Sequence, residues 1–352
     1  MSDTMNNQLK KIKVVQQILQ NEIKNNPINL CLINDSNCSN KIIKAHSIQN
    51  KNILEKISDG SGHVWTFSID DQKKMEKVGV NRASVFKGFC GKHDNSIFEF
   101  IDNDIYSKLK KEEAHFLYAF RALSKELYTK KNIVEKHHQF FQKIDDGDYS
   151  YLKKKFPILD ENDLNILFGP NSIMRDVIKG NQIAISELRP YCDRFYKALN
   201  NNKFNEIKTT IIKVKNIIRF AASTCFAPEY NSKGIIVNDI TNLSESLKAL
   251  FVSVIPDGED TYILLSYFAD EESTLSTFLK DLMQMERQET KEYLERLLLG
   301  HCENMVFSKQ YISSLSENEK EYLYTFYKDT AFQGDSIDMY RNKLQVKPKL
   351  LY

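Results

Sequence analysis

Three cysteines and two histidines in the first hundred residues are spaced as ligands are. Cys31 and Cys38 bracket the polar loop CLINDSNC, the run Lys44-Ala45-His46-Ser47-Ile48 follows shortly after, and Phe89-Cys90-Gly91-Lys92-His93-Asp94-Asn95 lies further on. Thiolate sulfur and imidazole nitrogen are what zinc accepts in a closed tetrahedron, and Cys-x-x-His has the tight spacing of a zinc knuckle. Cys31, Cys38, Cys90 and His93 are therefore the expected ligands of one Zn2+ ion, with the wide Cys31–Cys38 pair the less usual half. These cysteines sit among turn residues, not on an apolar stripe, which sets them apart from small core side chains. His46 is not needed to complete the four. A histidine beside a metal-stapled turn, facing a helix that carries a further ligand, can deprotonate water while a divalent ion stabilises the leaving oxygen of a phosphodiester.

These knots have to be held by regular elements. Residues 5–25 place Leu9, Ile12, Val15, Ile18 and Leu19 at helical spacing, and Asn26-Pro27 ends that helix. Residues 41–58 carry His46 and end in a short helix, Asp59-Gly60-Ser61-Gly62 is a turn, and residues 63–69 alternate like a strand. The second knot runs into a helix start at 96–101. Residues 111–145 contain neither Gly nor Pro and carry a helical apolar stripe, with more helix expected at 148–156 and 184–202. Then the texture changes. Residues 206–215, 218–227, 248–255 and 261–268 are β-branched, aromatic and roughly alternating, with turn-like segments between them, which predicts a four-stranded antiparallel sheet. Helices return at 273–285, 287–300 and 317–328. The fold class expected is α+β: a zinc-holding module with its N-terminal helix over 1–105, a helical region over 106–203, and an α+β domain over 204–352.

At 352 residues more than one core is expected, and 41% hydrophobic and 11% aromatic residues are enough to build them. Only 12 glycines and 7 prolines favour long helices with few turns. A net charge of +2 removes any global electrostatic case for nucleic acid, so contact with a phosphate backbone would have to come from local patches. The start MSDTMNNQLKKIK has no apolar core, the longest apolar runs are strand-length, and six cysteines are ordinary for a reducing compartment, so the chain reads as cytoplasmic with no membrane partner.

The order Cys…Cys…Ala-His-Ser-Ile…Asn…Phe-Cys-x-x-His-Asp-Asn resembles the HNH endonuclease module, a treble-clef or ββα-metal fold in which a zinc knuckle holds the active-site hairpin and helix. The segments IKAHSIQ, ILEKISDGSGHV and FKGFCGKHDNSIFE are similar to those of a bacterial group associated with defence against phage. The likeness to the module covers residues 28–102. Phe220-Ala221-Ala222-Ser223 and Glu303-Asn304-Met305-Val306-Phe307-Ser308 resemble recurring features of the same group. The resemblance implies that His46 is the general base, that Asn81 is the middle asparagine orienting the hairpin, and that Asp94 or Asn95 is a ligand to a catalytic Mg2+ or Mn2+. It departs at Ala45, where the module usually has an acidic residue or histidine before the base. What it implies is a metal-dependent nuclease in antiphage defence, acting on DNA more than RNA, with a protein partner or defence-system subunit. The competing expectation is a non-catalytic, zinc-stabilised protein that binds a protein partner or nucleic acid.

The remaining polar candidates read more simply. His137-His138 point apart on a helix among Lys and Glu and are expected on a solvated face. His115, Cys192, Cys225 and His301-Cys302 lack paired spacing and read as packed residues. Ser223-Thr224 has no G-x-S-x-G elbow. Lys108-Leu109-Lys110-Lys111, Lys130-Lys131 and Lys153-Lys154-Lys155 are solvated faces with some capacity to track phosphates. No Gly-rich phosphate loop is present, so an NTPase is not supported.

Overall fold

The computed structural model describes residues 2–68, 73–103, 109–169, 172–215, 219–242, 244–333 and 350–351. In chain order the elements are α1 (Ser2–Asn25), β1 (Ala45–His46), a π turn (Asn50–Leu54) running into α2 (Glu55–Ile57), β2 (His63–Phe67), β3 (Met75–Gly79), β4 (Val85–Phe86), α3 (Gly91–Asp102), α4 (Glu112–Asp145), α5 (Tyr149–Lys155), α6 (Glu161–Phe168), α7 (Ile173–Asn200), β5 (Ile207–Val214), β6 (Phe220–Phe226), β7 (Leu250–Asp257), β8 (Asp260–Phe268), α8 (Glu272–Gln284), α9 (Arg287–His301), β9 (Met305–Phe307), α10 (Lys309–Ser314) and α11 (Glu317–Gln333). Mixed α+β is the class the sequence predicts. The chain divides into two compact units, one of residues 1–30 and 127–190, the other of residues 31–126 and 191–352.

The first unit is helical. Val15 and Leu19 of α1 are buried against Phe140 and Phe141 of α4, Leu152 of α5, Leu164, Leu167 and Phe168 of α6, and Met174 and Ile178 of α7. The side chains of Leu9 and Ile12 lie outside the described residues. α6 fills a stretch that reads as loose connection, because its three buried apolar residues stabilise a helix too short to announce itself by period. Asp148 caps α5, its side chain accepting from the Tyr151 N–H. Where α1 ends, Asn132 Oδ1 accepts the Ile28 N–H (2.9 Å) and the Tyr128 hydroxyl donates to the Ile28 carbonyl (2.8 Å), which fixes the segment leading to the first cysteine.

The second unit is built on an antiparallel sheet of order β3-β2-β9-β6-β7-β8-β5. Four strands near the predicted ranges, β5 to β8, form one side, but the sheet has seven strands and not four. The three-residue β9 pairs with β6 (Phe220↔Phe307) and with β2 (Trp65↔Phe307), so it joins the β2–β3 hairpin to the C-terminal strands. β7 is buried along its whole length, although its sequence reads as roughly alternating, because it is flanked by β6 and β8 within the sheet. Its core includes Phe220, Leu250, Val252, Val254, Ile263 and Leu265 with Leu275, Phe278 and Leu282 of α8 and Leu294, Leu297 and Leu298 of α9. A row of aromatic contacts connects the metal-ligand region to this sheet. Phe89 packs on Phe98 (ring centroids 5.4 Å), Phe98 on Phe120 (5.9 Å), Phe120 stacks on Phe195 (5.0 Å), and Phe195 meets Phe251 (5.2 Å) and Phe268 (4.8 Å).

Candidate metal centre and the histidine beside it

Two strands and a helix carry the site. β1 pairs antiparallel with β4 (Ala45↔Phe86, His46↔Val85). Beyond the pair the ladder continues as backbone bonds, Ile43 N–H to the Phe89 carbonyl (3.0 Å) and Gly91 N–H to the Lys41 carbonyl (3.0 Å), while Leu32 N–H reaches Gly88 (2.9 Å). Three remote segments therefore meet at Cys90. That residue is extended (φ −78°, ψ 159°) and is the N-cap of α3, so the helix starts at Gly91, five residues before the predicted start, and His93 falls in its first turn.

The consequence is a four-atom cluster. His93 Nδ1 lies 3.3 Å from Cys31 Sγ, 3.6 Å from Cys38 Sγ and 3.3 Å from Cys90 Sγ, and all four ligand atoms lie within 4.8 Å of one another. One ring nitrogen has one lone pair or one proton, so it cannot hydrogen-bond three sulfurs at once. A central ion removes the conflict. With metal–sulfur bonds of about 2.3 Å and metal–nitrogen bonds of about 2.0 Å, a tetrahedral nitrogen and sulfur stand roughly 3.5 Å apart, and the three nitrogen–sulfur separations match. The residues fit one four-coordinate ion, and among the described residues this is the one such grouping.

The surroundings suit it. Burial pushes the Cys90 thiol up, but the backbone N–H of His93 and the Ser39 N–H (3.3 Å from Sγ) outweigh it, and the net shift is downward toward thiolate. Burial and the neighbouring Cys31 thiol push Cys38 the other way. Three crowded thiols resist becoming three anions together, and a cation at the centre relieves that. On the far side of the ring, Asp35 Oδ1 stands 3.2 Å from His93 Nε2, close enough for attraction but not aligned as a hydrogen bond, and Nε2 has no hydrogen-bond partner. Asp35 is held by the Tyr196 hydroxyl (2.7 Å) and the Asn37 N–H (2.8 Å), Tyr196 first among the groups that keep its carboxyl below the usual range. A carboxylate behind a ligating imidazole fixes its tautomer and strengthens it as a ligand. Asp35 and Tyr196 carry no signal in the sequence except Asp35's place inside the cysteine loop.

His46 is half-buried, and its Nδ1 lies 3.2 Å from the Ala83 carbonyl. If Nδ1 carries the proton it donates there, and Nε2 keeps its lone pair. Burial lowers the His46 pKa from the ordinary 6.5, the Ala83 carbonyl and Asp102 oppose this, and the Arg121 guanidinium adds to it. Asp94, half-buried on the first turn of α3, is raised by burial and feels the same two neighbours, Arg121 lowering it and Asp102 raising it. Asn81 is exposed in the turn before β4 and its Oδ1 accepts from Asn50 Nδ2 (2.7 Å), which ties the segment after β1 to the segment before β4. Asn95 is exposed. The segment after His46 is anchored too: Ser47 Oγ donates to the Ser84 carbonyl (2.9 Å), and Asn304 Nδ2 donates to Ser47 Oγ (2.8 Å) and to the Ser223 carbonyl (3.1 Å). The motifs around Ser47, Ser223 and Asn304, far apart in sequence, thus meet at one place.

The other candidates fall out as follows. Cys192, Cys225 and Cys302 are buried and unpaired as disulfides, and His115 is packed, its Nε2 2.7 Å from the Leu109 carbonyl. His137 is a correction: it is buried, not solvated, with Nδ1 2.8 Å from the Ile133 carbonyl one turn back on α4, which gives the ring a polar partner inside the protein. His138 is exposed as expected. Ser223 is buried and its Oγ has no hydrogen-bond partner. Lys108 lies outside the described residues, and Lys155 is paired with Glu22. Among the described residues no helix is long and apolar enough to cross a membrane.

No known family model matches this chain, and neither the curated proteins nor the solved structures provide a match to it.

Proposed function

We propose that the Cys31–Cys38–Cys90–His93 cluster holds a structural zinc ion and that the β1–β4 strand pair and α3 beside it form an HNH-like nuclease site, acting on DNA in preference to RNA. The observation that carries this is the juxtaposition of a closed Cys3His knot with a histidine whose Nδ1 is engaged by a backbone carbonyl and whose Nε2 is left as a base. Two paired strands and a helix around one knot support the ββα-metal reading that the HNH likeness implies. Zinc suits three thiolates and one imidazole, has no redox chemistry and closes in a tetrahedron.

In this reading His46, neutral at pH 7, takes the proton of the attacking water on Nε2 while the Ala83 carbonyl holds the ring. Asn81 steadies the hairpin through Asn50. Asp94, with Asn95 beside it, would hold a Mg2+ or Mn2+ ion, which supplies charge stabilisation at the leaving oxygen. One carboxylate is enough for that role, because Mg2+ keeps several waters and takes substrate phosphate oxygens as ligands. Lys44, Lys51 and Lys87, with Arg82, flank the two strands. They offer local positive charge where the whole chain has little. A place in antiphage defence, with a partner subunit that supplies further DNA affinity, fits that modest charge.

The second reading is a zinc-stabilised binding protein. It is favoured by one fact: the described residues contain no second grouping of three or more metal ligands. One experiment separates the two. Purified protein with full zinc content should nick supercoiled plasmid when Mg2+ or Mn2+ is added, and His46→Ala should keep its zinc and abolish nicking. Wild-type protein that cuts no nucleic acid with any divalent ion rejects the nuclease.

A further inference from the structure

Asp102, the last residue of α3, is tied to three segments at once. Its backbone carbonyl, one of the free carbonyls every helix leaves at its C-terminus, accepts from Gln49 Nε2 (2.7 Å) and Asn52 Nδ2 (3.1 Å). Its carboxylate receives both terminal nitrogens of Arg121 from α4, at 2.9 Å and 3.0 Å. Gln49 is three residues after His46. Asp94, Phe98 and Asp102 follow one another at four-residue steps along one face of α3, and the Arg121 guanidinium lies over the Phe98 ring at 4.3 Å. Arg121 is 3% exposed and both its terminal nitrogens donate to Asp102, while its buried Nε has no hydrogen-bond partner. It therefore cannot reach a phosphate in solution, and its place is behind the site.

We propose that the Asp102–Arg121 ion pair is a positioning unit that holds the His46 segment, the Asp94 face of α3 and helix α4 in register and sets the electric field in which His46 works. The functional meaning rests on the nuclease reading above; the physical coupling does not. The two charges of the pair act on His46 in opposite directions, so removing either member shifts it in a known direction. Asp102 on α3 and Arg121 on α4 are the charged groups that act on His46, and the Ala83 carbonyl faces it from the turn before β4. Loss of the carboxylate charge favours neutral imidazole, and loss of the guanidinium favours imidazolium.

The test uses the full chain with zinc bound. The His46 ring nitrogens are followed by long-range proton–nitrogen NMR through a pH titration, assigned by their absence in His46→Gln. In Asp102→Asn, which keeps the shape, His46 should titrate at lower pH than in the wild type. In Arg121→Met it should titrate at higher pH, and Arg121→Lys should return most of the way to the wild-type value. Metal analysis confirms intact zinc in each variant. If Arg121→Met does not fold, Asp102→Asn and Arg121→Lys decide. A His46 titration unmoved in Asp102→Asn, or moved in the same direction by loss of either charge, overturns the proposal. Plasmid nicking by the same samples is read separately: opposite NMR shifts in a protein that cuts nothing leave the positioning unit standing and reject the nuclease.

Discussion

The Cys3His knot and the His46 corner share helix α3 and are built from equally remote pieces of chain, yet their chemistry is opposite. In the knot three sulfurs crowd one nitrogen, and no arrangement of protons satisfies all four atoms. In the corner the groups are satisfied unevenly. His46 Nδ1 has Ala83, and Asp102 has Arg121, while His46 Nε2 and the Asp94 carboxylate have no partner among the described residues. A site that a cation alone can complete serves stability. A site half satisfied by its own backbone and half open is one where a substrate could complete the set.

That contrast can be broken by substitution. The largest effect is expected from Cys90→Ser, because Cys90 is fully buried and joins the Ile42 bridge, the α3 N-terminus and the proposed ion site. Structural zinc supplies on the order of 10 kcal/mol in small domains, and the surrounding aromatic contacts offset only part of its loss. Metal analysis should find zinc gone, and thermal unfolding should fall further than for any other substitution named here. Asp35→Asn should keep the fold but weaken zinc by about 10- to 100-fold in a chelator competition, since the carboxylate behind the ligand is removed and not the ligand itself. Asn304→Ala removes two donors, to Ser47 and to the Ser223 carbonyl, and should cost about 1–2 kcal/mol in denaturant unfolding with zinc content unchanged. The smallest effect is one of pH. Burial holds the His46 pKa below the ordinary 6.5, so imidazolium accumulates only below that value; if His46 is the proposed base, the acid limb of any cleavage profile should lie under pH 6.5. An acid limb above pH 6.5 would remove His46 as the base.

The knot was legible in the sequence and the corner only in part, for a physical reason. Metal ligands are few, chemically distinct and locally paired, so Cys31, Cys38, Cys90 and His93 stand out among turn residues. His46 stood out by being left over beside them. Arg121 did not, because an arginine on a helix with an apolar stripe looks solvated until its partner is placed, and that partner lies on another helix. Asn304 was noticed only as part of a recurring segment; its contact with Ser47 depends on β9, a strand too short to show alternation. β9 is also why the sheet has seven strands where four were expected. Its three residues acquire strand character only by lying between β2 and β6, and that pairing is a long-range event with no local signature.

The β1–β4 strand pair and the start of α3 converge on the proposed ion site. X-ray absorption at the zinc edge of the purified full-length protein tests this most directly. The expected result is one zinc per chain with three sulfur neighbours at about 2.3 Å and one nitrogen at about 2.0 Å. Protein that is folded but free of zinc, or zinc bound with oxygen neighbours and fewer than three sulfurs, would contradict it.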